Sequence, residues 1–381
     1  MRYFLSGRFA LKKLERPSLY GIATDELYEL DEEAFSFLEK CASPEGCEAP
    51  ESAAEFSGYC LSEGILTSEA TGARRPPLED APTPSLRYLE LQITRRCNLR
   101  CRHCYIGPPE DLELSAEEVG AVLDEFEALQ GLRAIITGGE PLLHRGFGGI
   151  NEILPRYALR KILVTNGTLL TPATLRGLNF DEIQVSIDGL REAHDEIRGE
   201  GAFDRAMGGI TEALGAGFDV SVSTMVHAKN LGDFDELDET FRTLGVKDWV
   251  VDVPCTEGNL MDNPAFSLPP ETAGGYLRYG WGQGLHGGSE SDAHACGLHL
   301  MSVMSDGGCA RCAFYAGRPV GHVSGGLREC WSRLKPTRLD DLKCDCDMLG
   351  VCRGGCRYRA ELLGDPLGKD FYRCQFFGKL E

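Results

Sequence analysis

The stretch LQITRRCNLRCRHCYIG, residues 91–107, places Cys97, Cys101 and Cys104 within eight positions, among Arg95, Arg96, Arg100 and Arg102. Three thiolates so close suit a metal. A structural zinc site asks for four ligands, and the remaining donor in reach, His103, is adjacent to Cys104 and would bend the loop awkwardly. A four-iron cubane held by three thiolates instead keeps one iron open for a substrate or cosubstrate. Gaps of three and two residues let one loop wrap three corners of such a cube, and the neighbouring arginines would offset its negative charge.

A second group of cysteines runs from 296 to 374, and the chain holds 16 in all, too many for packing alone. The segment MRYFLSGRFALKKLERP lacks the uninterrupted apolar core of a secretory signal, so a reducing, cytoplasmic compartment is expected, where clustered cysteines more often hold metal than form disulfides. No run approaches the roughly 18–20 apolar residues of a membrane span, and no membrane partner is expected. The formal net charge of −20, from 39 basic and 59 acidic residues, repels phosphate backbones and argues against nucleic acid as a partner.

The elements that must position these groups divide the 381 residues into segments. Residues 1–75 hold extended runs such as YGIATDELYEL, then a helix opening at Asp31, a good N-cap that sets Ala34, Phe35, Leu38 and Cys41 on one face. A second helix and a short strand fit APESAAEFSGYCLSEGILTSE. The run TGARRPPLEDAPTPS continues neither kind of element, so residues 76–85 are expected to form a linker that few contacts cross.

From 86 to 275 the strand-like runs RYLELQIT, LRAIIT, KILVT, EIQVSI, FDVSVST and DWVVDV alternate with helical segments such as 115–130 and 203–216. Six βα units predict an α/β fold with a parallel sheet, a partial (β/α)6 TIM barrel. Barrel enzymes place their chemistry in the loops after the strands. Here those loops read CNLRCRHC, TGGEP, TNG, SIDG, HAKN and PCTEGN. Residues 276–381 make a cysteine-rich C-terminal domain.

The Cys-x3-Cys-x2-Cys spacing after the first strand of a βα repeat resembles the radical S-adenosylmethionine superfamily. The resemblance implies that Cys97, Cys101 and Cys104 hold a 4Fe-4S cluster whose open iron binds S-adenosyl-L-methionine. Gly138, Gly139 and Glu140 of GGEP resemble the motif that binds the cofactor's methionine amino group, and Ser186 and Asp188 of SIDG resemble the ribose-contacting motif. Arg198 is similar to an arginine that pairs with the methionine carboxylate; His103 holds the place of an aromatic residue beside the adenine, with Tyr105 close by. Asn166 and Asn230 read as parts of the loop structure. The implied shared step is electron transfer into the cofactor, from an external donor such as flavodoxin or ferredoxin. It releases a 5′-deoxyadenosyl radical that abstracts hydrogen from an unactivated C–H bond.

The spacing Cys346-x5-Cys352-x3-Cys356-x17-Cys374 resembles the SPASM extension of radical enzymes that modify peptides and proteins, which holds two auxiliary 4Fe-4S clusters. Carried over, the first would use Cys309, Cys312, Cys330 and Cys356, with Cys296 as a substitute for Cys309, and the second Cys344, Cys346, Cys352 and Cys374. One departure is that a single residue, Asp345, separates Cys344 from Cys346 where the family usually has two. A zinc ribbon would not use eight interleaved cysteines. Cys41, Cys47 and Cys60 read as small buried hydrophobes. Cys255 ends the sixth strand at the rim, where a thiol could face substrate as a catalytic group, although packing also suits it.

Residues 1–75 resemble, in pattern and position, the winged-helix-like recognition domains fused to maturases of ribosomally made peptides, which capture a leader segment as an added edge strand. A DNA-binding winged helix is disfavoured, because residues 1–80 hold 8 basic and 16 acidic residues. The expected function is therefore a peptide maturase that binds a precursor through its leader and installs an oxidative crosslink, for instance a thioether. The alternatives are a tetrapyrrole side-chain enzyme or sulfatase-type maturase of the same superfamily, and a non-enzymatic iron–sulfur electron carrier, which would leave GGEP and SIDG without purpose.

Overall fold

The computed structural model describes residues 2–282 and 294–380. Its N-terminal part has strands β1 (Arg2–Leu5), β2 (Phe9–Lys13), β3 (Pro17–Gly21), β4 (Glu26–Glu29), β5 (Cys47–Glu48) and β6 (Leu66–Thr67), with helices α1 (Glu32–Cys41) and α2 (Ala54–Ser62). Two small antiparallel sheets form, in the orders β5-β1-β6 and β2-β3-β4. Asp31 caps α1 by accepting from the Ala34 amide at 2.8 Å. The helix buries Phe35, Phe37, Leu38 and Cys41 against Leu5, Leu11 and Leu19. Cys41 and Cys60 are buried in this core, as small hydrophobes.

The six expected strands are present as β7 (Tyr88–Thr94), β8 (Arg133–Gly138), β9 (Arg160–Thr165), β10 (Glu182–Ser186), β11 (Asp219–Met225) and β12 (Asp248–Asp252). All pair in parallel, in sequence order, and make the partial barrel. Connecting helices are α3 (Ala116–Ala128), α4 (Phe147–Ile153), α5 (Pro172–Leu175), α6 (Arg191–Arg198), α7 (Ala202–Gly215) and α8 (Phe234–Leu244). Side chains alternate across each strand. On β7, Leu89, Leu91 and Ile93 turn outward onto Val119, Leu123 and Phe126 of α3, whereas Tyr88, Glu90 and Gln92 turn into the barrel. A register shift between Gln92 and Thr94 bends β7 where the cysteine loop begins.

The N-terminal part is not a loose attachment. The β2-β3 hairpin closes the base of the barrel: Lys12 Nζ, buried, donates to the Gly131 and Ala158 carbonyls at 2.6 and 3.3 Å. Asp25, just after β3, accepts from Arg133 Nε at 2.7 Å. The fully buried Arg160 spans Glu182 at 2.8 Å and Asp219 at 3.0 Å and donates to the Ile22 and Ala23 carbonyls. The proline-rich run is tied down as well, since Arg75 donates to the Leu5, Ser6 and Phe9 carbonyls and Glu15 holds Ser85 and Arg87. The expectation that few contacts cross it is corrected for a physical reason: buried charges at the barrel base need partners, and residues 12–25 supply them.

After α9 (Pro270–Ala273) the chain adds β13 (Leu300–Val303), β14 (Gly308–Ala310) and β15 (Gly321–His322) beside β7, extending the sheet to nine strands across the expected boundary at 275. Helices α10 (Leu327–Arg333), α11 (Leu349–Cys352), α12 (Arg357–Leu362) and α13 (Phe371–Phe376) follow. Around α11 the buried apolar core, among the described residues, is Ala295, Leu339 and Leu342, a small core for the cysteine-rich stretch to fold upon.

Candidate active site and metal centres

Cys97, Cys101 and Cys104 stand on the loop after β7 and line a cavity of about 530 Å³ inside the barrel, together with Gly138 and Ser186 at the ends of β8 and β10 and Gly139 just after β8. The loop is held from outside. Asn259 donates from its side chain to the Cys101 carbonyl at 2.8 Å and from its backbone to the Cys104 carbonyl at 2.9 Å. At the adjacent Gly258 (φ +54°) a Cβ would lie 2.3 Å from that Cys104 oxygen. Arg95 and Arg96 pair with Glu110 and Asp111, while Arg100 braces the Cys97 and Leu99 carbonyls. Burial pushes the Cys101 thiol up to about 12, with Arg198 pulling the other way, and raises Cys97 against the opposing Leu99 amide. Such thiols ionise when a metal supplies the positive charge. Three thiols lining one cavity, with the Leu99 amide donating to Cys97 at 3.5 Å and open space beside them, suit by their donor chemistry an iron–sulfur cluster with a small cosubstrate.

Gly139 lets the second loop lie directly under the first: a Cβ there would sit 2.4 Å from the Arg96 carbonyl, and the Gly139 amide donates to Thr94 at 2.8 Å. Glu140 does not face the cavity. Its carboxyl is fully buried in the wall, accepting from Thr165 Oγ1 at 2.9 Å, the Asn166 amide at 2.9 Å and the Leu142 amide at 3.3 Å. Burial pushes it up to about 7 against these donors. It therefore stitches the loops after β8 and β9, a positioning part.

Asp188 is likewise enclosed. It pairs with His103 Nε2 at 3.0 Å and Arg198 Nε at 2.5 Å and accepts from the Met225 amide at 2.8 Å. Although burial pushes it up, Arg198 and His103 hold its carboxyl well below the usual range. His103, Tyr105, Ser186 and Arg198 do line the cavity, so Asp188 acts by orienting two of them. Asn230 donates to the Asp188 and Met225 carbonyls and Asn166 to Asn98, both holding loops in place.

The C-terminal cysteines sort into three groups. Cys344, Cys346, Cys352 and Cys374 surround one small pocket, with backbone amides of Met348 and Gly354 donating to Cys346 at 3.4 Å and Cys352 at 3.3 Å. Cys312 interacts with Cys296 and Cys356, and Cys356 with Cys255. Cys255 is 2% exposed, its thiol is hydrogen-bonded to Cys356, and it is not among the residues lining the cavity. That contact, with the Arg359 guanidinium nearby, holds the Cys356 thiol below its ordinary value. Cys309 and Cys330 lie elsewhere, side by side in the hydrophobic core against Leu89 and Trp331. Their partners are backbone carbonyls of Gly307 and His322. Arg359 explains the second grouping: it joins Asp370, whose carboxylate accepts from the Cys356 amide at 2.7 Å, to Asp252 at the end of β12 at 2.7 Å, which brings the Cys356 turn beside Cys255. A grouping made across 100 residues leaves no spacing to read. Glu90 also escaped the sequence reading, although the alternation along β7 could have placed it inside the barrel.

Known proteins resemble this chain in sequence and in fold. The family described as the Radical SAM superfamily matches residues 91–244. An AdoMet-dependent heme synthase of Oleidesulfovibrio alaskensis is 34% identical over 47% of this chain and 48% of its own, so this chain spans about half the length of that relative. An AdoMet-dependent heme synthase of Methanosarcina barkeri is 30% identical over 77% of this chain and 97% of its own. The mycofactocin maturase MftC of Mycolicibacterium smegmatis is 32% identical over 39% of this chain and 40% of its own. Among solved structures, Streptococcus suis SuiB bound to precursor peptide SuiA has the same fold, with a TM-score of 0.67 at 16% identity over 98% of this chain and 100% of that one.

Proposed function

The chain belongs to the radical SAM superfamily of enzymes, and from that premise we propose that it is a maturase that installs an oxidative crosslink in a ribosomally made precursor peptide. The observation that carries this reading is the N-terminal part, residues 2–67, built against the barrel and offering β4 as an exposed sheet edge. A leader strand added there gains backbone hydrogen bonds and raises the local concentration of the core peptide at the cavity. SuiB, bound to a precursor peptide, has the same fold over nearly the whole chain.

In this reading Cys97, Cys101 and Cys104 hold the cofactor-binding cluster. Cys255, Cys296, Cys312 and Cys356 hold a first auxiliary cluster, and Cys344, Cys346, Cys352 and Cys374 a second. When bound, S-adenosyl-L-methionine and its cluster supply hydrogen-atom abstraction from an unactivated C–H bond. The chain's own residues would bind and shield it: Gly138, Gly139 and Ser186, which line the cavity, would face the cofactor, Arg198 would meet its carboxylate, and Asp188 fixes Arg198 and His103. Auxiliary clusters suit a reaction in which an electron must leave the substrate. An external one-electron donor is required.

A second reading, a tetrapyrrole side-chain enzyme, is favoured by the 30% identity to a heme synthase over 97% of that protein. One experiment separates them. Reconstituted anaerobic protein is given a leader-bearing precursor encoded beside it, or an iron tetrapyrrole with propionate arms, and products are read by mass spectrometry. A peptide lighter by two hydrogens is expected; loss of carboxyl from the tetrapyrrole with the peptide untouched refutes the maturase reading.

A further inference from the structure

β7 turns Glu90 into the barrel between the base layer at Tyr88 and the cysteine loop. Its carboxyl accepts from Ser302 Oγ at 2.6 Å and from Tyr105 Oη at 3.4 Å, with Gln92 and the Ala313 amide as further donors. All four are neutral. Three of the other carboxylates lining the cavity face arginines: Asp25 and Glu182 meet Arg160, and Asp252 meets Arg359. Burial pushes the Glu90 carboxyl up, and a carboxylate removed from water without a cation is costly. Yet Glu90 is only half-buried, because it borders the cavity. Tyr105 follows Cys104 and Ala313 follows Cys312, so Glu90 lies at the seam between the cysteine loop and the first auxiliary set.

We propose that Glu90 is a specificity-determining residue: it accepts a hydrogen bond from an N–H, O–H or S–H group on the residue being modified and turns away a carboxylate at that place. The inference rests on the maturase reading and deepens it by naming the side-chain class at the modified position. A carboxylate beside Glu90 brings two like charges together away from water, so one of them must take up a proton or leave. A donor meets no such cost. The Tyr105 contact, long for a hydroxyl hydrogen bond, is the one a substrate group displaces most easily.

The test reads binding by the iron-loaded protein with S-adenosyl-L-methionine present, using saturation-transfer NMR and four probes. N-acetyl amides of asparagine, serine and cysteine carry donors, and that of aspartate carries a carboxylate of nearly the same shape as asparagine. The aspartate probe is expected to bind at least about tenfold more weakly than the asparagine probe. Glu90→Gln should bring the two within about threefold, chiefly by a gain for aspartate. Ser302→Ala keeps the carboxyl and should keep the preference, which leaves the proposal testable if Glu90→Gln fails to fold. Equal binding of the aspartate and asparagine probes to the intact protein, or a preference that survives Glu90→Gln, overturns the proposal. Failure of the maturase reading would appear separately, as a precursor of unchanged mass.

Discussion

Cysteines that look equivalent in the chain differ in what surrounds them. Cys309 and Cys330 are packed among apolar side chains, whereas Cys255 and Cys356 meet at the junction of barrel and C-terminal domain. Alanine at Cys255 or Cys296 should therefore remove about one third of the iron from a protein carrying three four-iron clusters. Alanine at Cys309 or Cys330 should leave iron content unchanged and cost about 1–2 kcal/mol of stability through lost burial. Iron analysis beside denaturant titration checks both; iron lost from Cys330→Ala would restore the spacing-based ligand set. Glu140 makes a second case. Thr165→Val removes a donor that its buried carboxylate receives, and cofactor affinity, measured by equilibrium binding, should fall roughly 10- to 100-fold, as when outer-shell partners are removed. An unchanged affinity would mean that Glu140 positions nothing.

The β2-β3 hairpin is an element with two duties, since it belongs to the N-terminal sheet and also seals the barrel base. Arg160 is its main tie, with no exposed side-chain surface and three carboxylates around it. Arg160→Met leaves those carboxylates without their shared cation and should lower stability by about 3–5 kcal/mol, read from the shift in urea midpoint. Removing residues 1–29 should be worse, because it uncovers Arg133 and Arg160 together with the apolar contact of Tyr20 and Ile22 on Leu132. A truncated barrel as stable as the intact chain would show that the base needs no cover.

At the scale of the molecule, stability is unevenly shared. The barrel has two large apolar clusters, whereas the stretch around Cys344–Cys374 has a few buried apolar side chains and several cysteines. Metal binding contributes folding free energy where a core is small. Chelating the iron should therefore raise amide exchange across residues 342–377 by orders of magnitude while β8, β9 and β10 stay protected. Hydrogen exchange with mass spectrometry checks this, and equal loosening of barrel and C-terminal domain would contradict it.

By itself the sequence determined the partial barrel, because period-two apolar runs alternating with helices leave few other arrangements, and it determined the cysteine loop, because its three thiols lie within eight residues. The Asp31 cap and the helices after the strands were legible for the same reason: local spacing carries them. The tertiary structure decided what depends on residues far apart in the chain. It brought Cys255 and Cys296 toward Cys356, set Cys309 and Cys330 in the core, turned Glu140 and Asp188 into the wall, and folded residues 12–25 under the barrel. Those outcomes depend on where buried charge and thiols find partners, and partners such as Arg359 with Asp252 or Arg160 with Asp25 become neighbours only when the chain has closed.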